Sequence, residues 1–171
     1  MRAMIFAAGL GTRLKPITDT LPKALVPVCS QPLLKHLVDK LKAAGYSEVV
    51  INVHHFAEKI REYVAQNNEF GIKVFFSDET DLLRETGGGI RHASELLDDG
   101  EPFLVHNVDI LSNLDLEDFF QAHMAESISI DTPLATLLVS ERETARYFLF
   151  DKRNNLVGWM NKLSGEVKSP Y

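Results

Sequence analysis

A chain of 171 residues with 45% hydrophobic content carries enough apolar mass to bury a core of its own, and its length fits one domain rather than two. The formal net charge of -6 excludes the broad basic face on which non-specific nucleic-acid binders rely. No apolar run approaches the roughly 20 residues that span a bilayer, and the N-terminus lacks the signal-peptide pattern, so the expectation is a cytoplasmic domain with neither nucleic acid nor membrane as partner.

Met4 to Ala8 is short, apolar and stopped by Gly9, the pattern of a buried strand. Cys29 is the lone cysteine and cannot form an internal disulfide; its neighbours Val26, Pro27 and Val28 predict a buried structural thiol rather than a nucleophile. Leu33, Leu34, Leu37, Val38 and Leu41 recur at helical spacing ahead of Gly45, which completes a first βα unit. Glu48 to Val53 reads as a β-branched strand, and Phe56, Ile60, Tyr63 and Val64 form the next helical stripe, ended around Asn67, Asn68 and Gly71. Ile72 to Ser77 makes a third strand. The spacing then predicts a helix over Gly88 to Leu97 despite its glycine-rich start. Phe103 to His106 is a fourth strand that delivers Asn107 and Asp109 at its far end, and Leu116, Phe119 and Phe120 open another helix. Ala135 to Ser140 reads as a strand, and Tyr147 to Phe150 and Leu156 to Met160 flank a hairpin turn at Asp151 to Asn155. The Phe119-Phe120 and Tyr147-Phe148 pairs read as core, and Trp159 as packing.

Alternating strands and helices with short links imply an α/β fold, a largely parallel sheet covered on both faces and joined by right-handed crossovers. In such a sheet ligands bind at the carboxyl ends of the strands. Gly9 to Arg13, the Thr86-Gly87-Gly88-Gly89 run and Asp109 should therefore share one edge. Gly9 and Gly11 remove side chains where backbone N–H groups must approach an anion, and Arg13 and Lys23 supply charges suited to phosphate oxygens. The segment is neither a P-loop nor a dinucleotide fingerprint, because Leu14 stands where the latter requires its third glycine. Asp109 has two plainer roles open to it, capping the helix near Leu114 or joining the solvated acids Asp115, Glu117 and Asp118. His54, His55, His92 and His106 lack zinc-site spacing and read as ordinary loop, strand-end and helix residues.

The ordered set Gly9, Gly11, Thr12, Arg13, Pro16, Thr18, Pro22, Lys23 and Pro27, continued by the glycine-rich loop and Asp109, strongly resembles the sugar-1-phosphate nucleotidylyltransferases. The resemblance covers nearly the whole chain. It implies their Rossmann-like three-layer α/β/α sandwich with a mostly parallel mixed sheet, incomplete here at the C-terminus, over a single domain spanning residues 1–171. It further implies a nucleoside triphosphate and a sugar 1-phosphate as substrates and Mg²⁺ as cofactor. Arg13 and Lys23 are then the catalytic pair; Ala8, Gly9, Gly11, Thr12, Glu85, Thr86, Gly88 and Asn107 bind nucleotide, and Asp109 binds the metal. The Glu85 to Ile90 run looks most like the N-acetylmuramate-1-phosphate uridylyltransferases, with the mannose-1-phosphate guanylyltransferases close behind, which leaves UTP and GTP both open.

Two departures from the family pattern stand out. Val108 occupies a position where the family often has glycine, a change expected to alter how the loop approaches the ribose. Family members also draw a second metal-binding aspartate and much of the sugar pocket from sequence past the matched region, so the chain reads as the N-terminal portion of a longer protein. The alternative reading is a catalytically silent regulatory module that binds a nucleotide or a nucleotide sugar. A dinucleotide-dependent oxidoreductase is disfavoured by Leu14 and by Asn52 to His55, where a ribose-binding acid would be needed.

Overall fold

The computed structural model describes residues 1–126 and 133–170. Strand β1 (Arg2–Phe6) leads through three single 3-10 turns, Thr12–Leu14, Ile17–Asp19 and Lys23–Leu25, to the short strands β2 (Pro27–Val28) and β3 (Gln31–Pro32). Then follow α1 (Leu33–Ala43), β4 (Glu48–Val53), α2 (Ala57–Gln66), β5 (Lys73–Asp78), α3 (Glu85–His92), α4 (Ser94–Leu97), β6 (Leu104–Asn107) and α5 (Leu116–Glu126). These belong to one compact unit, Met1–Pro133, and a second unit, Leu134–Tyr171, holds β7 (Arg146–Phe150), β8 (Leu156–Asn161) and β9 (Glu166–Lys168).

In the first unit the strands lie in the order β5-β4-β1-β6, and every pairing is parallel. The two-residue period of a strand sends alternate side chains to opposite faces, and here both faces are covered. Ala3, Ile5, Val49, Ile51 and Val53 pack with Leu34, Leu37, Val38, Leu41, Ile60 and Val64 of α1 and α2. Met4 and Val50 face the other way, onto Ala93 and Leu97. Helix α1 buries all five leucines and valines of its predicted stripe. It ends as the sequence expects: Gly45 takes φ 81, and the N–H groups of Gly45 and Tyr46 close back on Lys42 and Leu41. No helix among the described residues is long and apolar enough to cross a membrane.

Four expectations are corrected, three here and that for Phe148 with the second unit below. Cys29 is exposed, because Cys29 and Ser30 form the two-residue turn between β2 and β3; both adopt left-handed backbone, φ 47 and 68, which turns their side chains away from any core. The helix expected from Gly88 starts at Glu85 and breaks at Ala93 into α3 and α4. Residues 135–140 form no strand: Leu137, Leu138 and Val139 are exposed, and no described strand pairs with their backbone groups. A β-branched, apolar run does not make a strand without a neighbouring ladder.

The second unit is a three-stranded antiparallel sheet, β7-β8-β9. Its hairpin turn falls where predicted, with the Asp151 carboxylate accepting the N–H groups of Arg153 and Asn155, both at 2.8 Å. Phe148, expected in the core, is 54% exposed on its outward face, whereas Trp159 is half-buried under the Lys168 ammonium, 5.7 Å from the ring centre.

At the N-terminal end of β4 the Glu48 carboxylate lies between Lys73, at 2.6 Å, and Arg2, at 2.8 Å. Hydrogen bonds from Lys73 first and Arg2 second hold its pKa down to about 2 from an ordinary 4.5. A carboxylate depressed in the folded state contributes stability above its unfolded pKa and loses it as the pH falls toward the folded one. Melting temperature should therefore decline between pH 4.5 and 2 more steeply in the wild type than in Glu48→Gln, which an acid series of thermal melts will read.

Candidate active site

Because all four strands of the central sheet run parallel, the loops leaving β1, β5 and β6 emerge at one edge. The chain steps outward from β1 to β4 and β5 on one side and places β6 on the other, so the order reverses between β1 and β6. In open parallel sheets the ligand crevice lies, as a rule, at such a switch point.

The loop after β1 is built around Gly11, whose φ of 65 suits glycine. An added Cβ there would lie 2.8 Å from Thr18 Cγ2, and the buried Thr18 hydroxyl donates to the Gly11 carbonyl at 2.8 Å. The tight turn leaves Gly9, Thr12 and Arg13 exposed, and nothing lies within 4 Å of where a Gly9 Cβ would stand. Among the described residues no carboxylate pairs with the Arg13 guanidinium.

Lys23 opens a 3-10 turn whose next two residues, Ala24 and Leu25, are core, so its backbone is anchored while its side chain reaches out. Its ammonium donates to Asp109 Oδ2 across the crevice, joining the β1 loop to the end of β6. Asp109 keeps 36% side-chain exposure against 19% for Lys23, so its remaining oxygen edge is open to solvent. The competing helix-cap role belongs to Asp115, which accepts the Glu117 and Asp118 N–H groups at 2.9 and 3.1 Å.

Val108 donates its N–H to Phe6 O at 3.1 Å, and its side chain is 3% exposed within the main core. Its side chain therefore faces the core. Asn107 is exposed at the end of β6. His106 is half-buried and donates from Nδ1 to the Asn107 carbonyl; burial holds its pKa below the usual imidazole value. His54 and His92 likewise donate to backbone carbonyls, of Glu79 and Asp78.

The third loop brings Glu85, Thr86 and Gly88 to the start of α3, all exposed, with Glu85 at φ 57. Two residues not singled out from the sequence join this loop to the first. Asn52, 2% exposed, accepts the Ala7 and Ala8 N–H groups at 2.7 and 3.2 Å and donates to Glu79 Oε1 at 2.8 Å. Glu79, 0% exposed, accepts the Arg84 N–H through Oε2 at 3.0 Å. The readable signal was an amide side chain inside the apolar run Val49-Val50-Ile51-Asn52-Val53, which cannot be buried without a partner.

The profile of the nucleotidyl transferase family matches residues 2–149. The chain is similar to the N-acetylmuramate alpha-1-phosphate uridylyltransferase of Caulobacter vibrioides, 44% identical over 109 residues, covering 63% of this chain and 45% of that protein. It is also similar to mannose-1-phosphate guanylyltransferase catalytic subunit beta of Danio rerio, 41% identical over 125 residues, 72% of this chain and 34% of that protein. The crystal structure of HddC from Yersinia pseudotuberculosis complexed with GMP-PN has a TM-score of 0.64 at 30% identity, covering 72% of this chain and 54% of that one. The chain thus spans 45% and 34% of the length of these two curated relatives. With the profile running from the first strand into β7, the chain belongs to the nucleotidyl transferase family.

Proposed function

We propose that the protein transfers a nucleoside monophosphate from a nucleoside triphosphate, UTP or GTP, to a sugar 1-phosphate, and that residues 1–171 form its nucleotide-binding portion. A phosphate oxygen of the sugar 1-phosphate attacks the α-phosphorus, the bond to the bridging oxygen of the β-phosphate breaks, and pyrophosphate leaves with that electron pair. The observation that carries this reading is the meeting of Lys23 and Asp109 at the switch point, at the mouth of the Gly9 to Arg13 loop.

Negative charge accumulates at the α-phosphate and on the leaving group, so catalysis is mainly positioning and charge compensation. Lys23, held by its buried neighbours, meets the reacting phosphates, and Arg13, free of any internal partner among the described residues, meets the triphosphate and the departing pyrophosphate. Backbone N–H groups around Ala8, Gly9, Gly11 and Thr12 contact the nucleotide, Glu85, Thr86 and Gly88 hold the base, and Asn107 borders the ribose. Glu85 is exposed and can accept two hydrogens from guanine or one from uracil.

Among the described residues no three His, Cys, Asp or Glu side chains cluster into a metal cage. Mg²⁺ does not require one, since it takes one or two carboxylates and completes its shell with water and substrate phosphates, and the half-exposed Asp109 suits that role. When bound, Mg²⁺ supplies further neutralisation of the triphosphate. The test is pyrophosphate release by the intact gene product with UTP, GTP, CTP and dTTP against a panel of sugar 1-phosphates. Release with UTP or GTP and at least one sugar 1-phosphate is expected; nucleotide binding with no turnover of any pair would replace the enzyme by a binding module.

A further inference from the structure

We infer that Asn52 and Glu79 are positioning residues, a buried relay that sets the β1 phosphate loop from the β5–α3 base loop. The inference rests on the nucleotide-binding role proposed above. The phosphate loop begins as β1 ends, and its first two N–H groups, those of Ala7 and Ala8, are taken by one atom, Asn52 Oδ1. Two donors converging on that oxygen fix the orientation of the carboxamide, because a flipped Asn52 would set its NH₂ against both of them. The NH₂ group then points at Glu79 Oε1, and Glu79 Oε2 takes the N–H of Arg84, the residue before α3.

Glu79 is itself held from both sides. Its N–H donates to the Val53 carbonyl at 2.8 Å, and its carbonyl receives His54 Nδ1 at 2.6 Å and the Leu82 N–H at 3.1 Å. Helix α3 packs close above the pair: a Cβ on Gly89 would stand 3.0 Å from Glu79 Oε1, 3.3 Å from Asn52 Nδ2 and 3.4 Å from Phe6. Every hydrogen bond in the relay runs toward the carboxylate, from the Ala7 and Ala8 amides through Asn52 and from Arg84 directly. A buried carboxylate with only donors around it cannot be replaced by an amide without a donor meeting a donor. The nucleotide's phosphate and base contacts are thereby set at a fixed distance from each other through two side chains that touch neither.

The polarity gives a test that a merely space-filling role would fail. Glu79→Gln places an NH₂ against either Asn52 Nδ2 or the Arg84 N–H. Adding Asn52→Asp restores all four bonds with nearly the same atoms: the aspartate accepts from Ala7, Ala8 and the new Gln, whose oxygen accepts from Arg84. Affinity for UTP and GTP with Mg²⁺ is expected to fall about tenfold in Glu79→Gln and to return to within about threefold in the double variant. Amide hydrogen exchange at Ala7 and Ala8, measured without nucleotide, is expected to quicken in the single variant and slow again in the double one. Unchanged affinity and exchange in Glu79→Gln, or a double variant no better than the single, overturns the relay. Should Glu79→Gln not fold, Gly89→Ala displaces the same pair and must quicken exchange at Ala7 and Ala8; exchange as slow as wild type overturns it. Failure of the wild type to bind either nucleotide removes the proposed function, and with it the positioning role, while the exchange measurements still read the hydrogen-bond coupling by itself.

Discussion

Lys23→Ala is expected to lower the turnover of pyrophosphate release by roughly a hundred- to a thousandfold, the scale of losing one preorganised charge at a developing oxyanion. The lysine is shaped for this by its surroundings. Pro22 starts the turn in extended backbone, Ala24 and Leu25 are buried, and among the described residues the ionic partner of the ammonium is Asp109, past the end of β6. Truncation removes the cation and also leaves the Asp109 carboxylate uncompensated beside an incoming triphosphate. The fold should tolerate the loss, since Asp109 is exposed enough to be rehydrated and surface-accessible ion pairs contribute about 1 kcal/mol or less. Turnover, KM for the nucleotide and a thermal melt on the same preparation check the prediction: turnover must collapse while the melt stays close to wild type. A variant that keeps a third of its turnover would remove Lys23 from the reacting phosphates.

Ile51→Ala is expected to have the opposite profile, a loss of stability of about 3 kcal/mol with a melting temperature roughly 10 °C lower. Ile51 is 0% exposed in the second of the four parallel strands, in register with Ile5 on one side and Phe76 on the other. Removing its branched side chain leaves a cavity between α1, α2 and the sheet, where the main core is continuous. Because its neighbour Asn52 points to the opposite face, activity at low temperature should survive if the relay sets the loop independently of the core. Denaturant titration and turnover at 20 °C separate the two effects.

Much of this architecture was legible because the strongest signals were local. The leucine and valine stripe of α1, the glycine that ends it and the turn aspartate of the β7–β8 hairpin each encode their own geometry within a few residues. The shared edge of the Gly9 to Arg13 loop and Asp109 was also legible, since parallel strand order sends the loops after β1 and β6 there, whereas the reach of Lys23 to Asp109 was not. What escaped was decided by partners distant in sequence. Residues 135–140 have β-branched and leucine side chains yet no ladder to join among the described residues, and Cys29 was read from apolar neighbours although its backbone turns back on itself. Glu79 stands in the polar stretch Asp78 to Asp81, which carries no pattern of its own. Only the packing of α3 over Glu79, Asn52 of β4 and Phe6 of β1 shows that it is enclosed and that it finishes what Asn52 begins.

Strand β1 precedes β4 and β6 in the chain yet lies between them in the sheet, and this bears on how the sheet is assembled. During synthesis β1 and its loop leave the ribosome well before β4, and β6 follows only after β5, α3 and α4. Closing parallel pairs across such intervals costs chain entropy before contacts repay it, which makes folding of this topology slow and leaves an apolar N-terminal strand waiting for both neighbours. Until β4 docks, the amides of Ala7 and Ala8 have no Asn52 to hold them, and until β6 docks Lys23 has no Asp109. The Gly9 to Arg13 loop is therefore translated ahead of the strands that fix it and is ordered only after both have docked, so a ligand that needs the ordered loop stabilises the finished sheet rather than guiding its early steps.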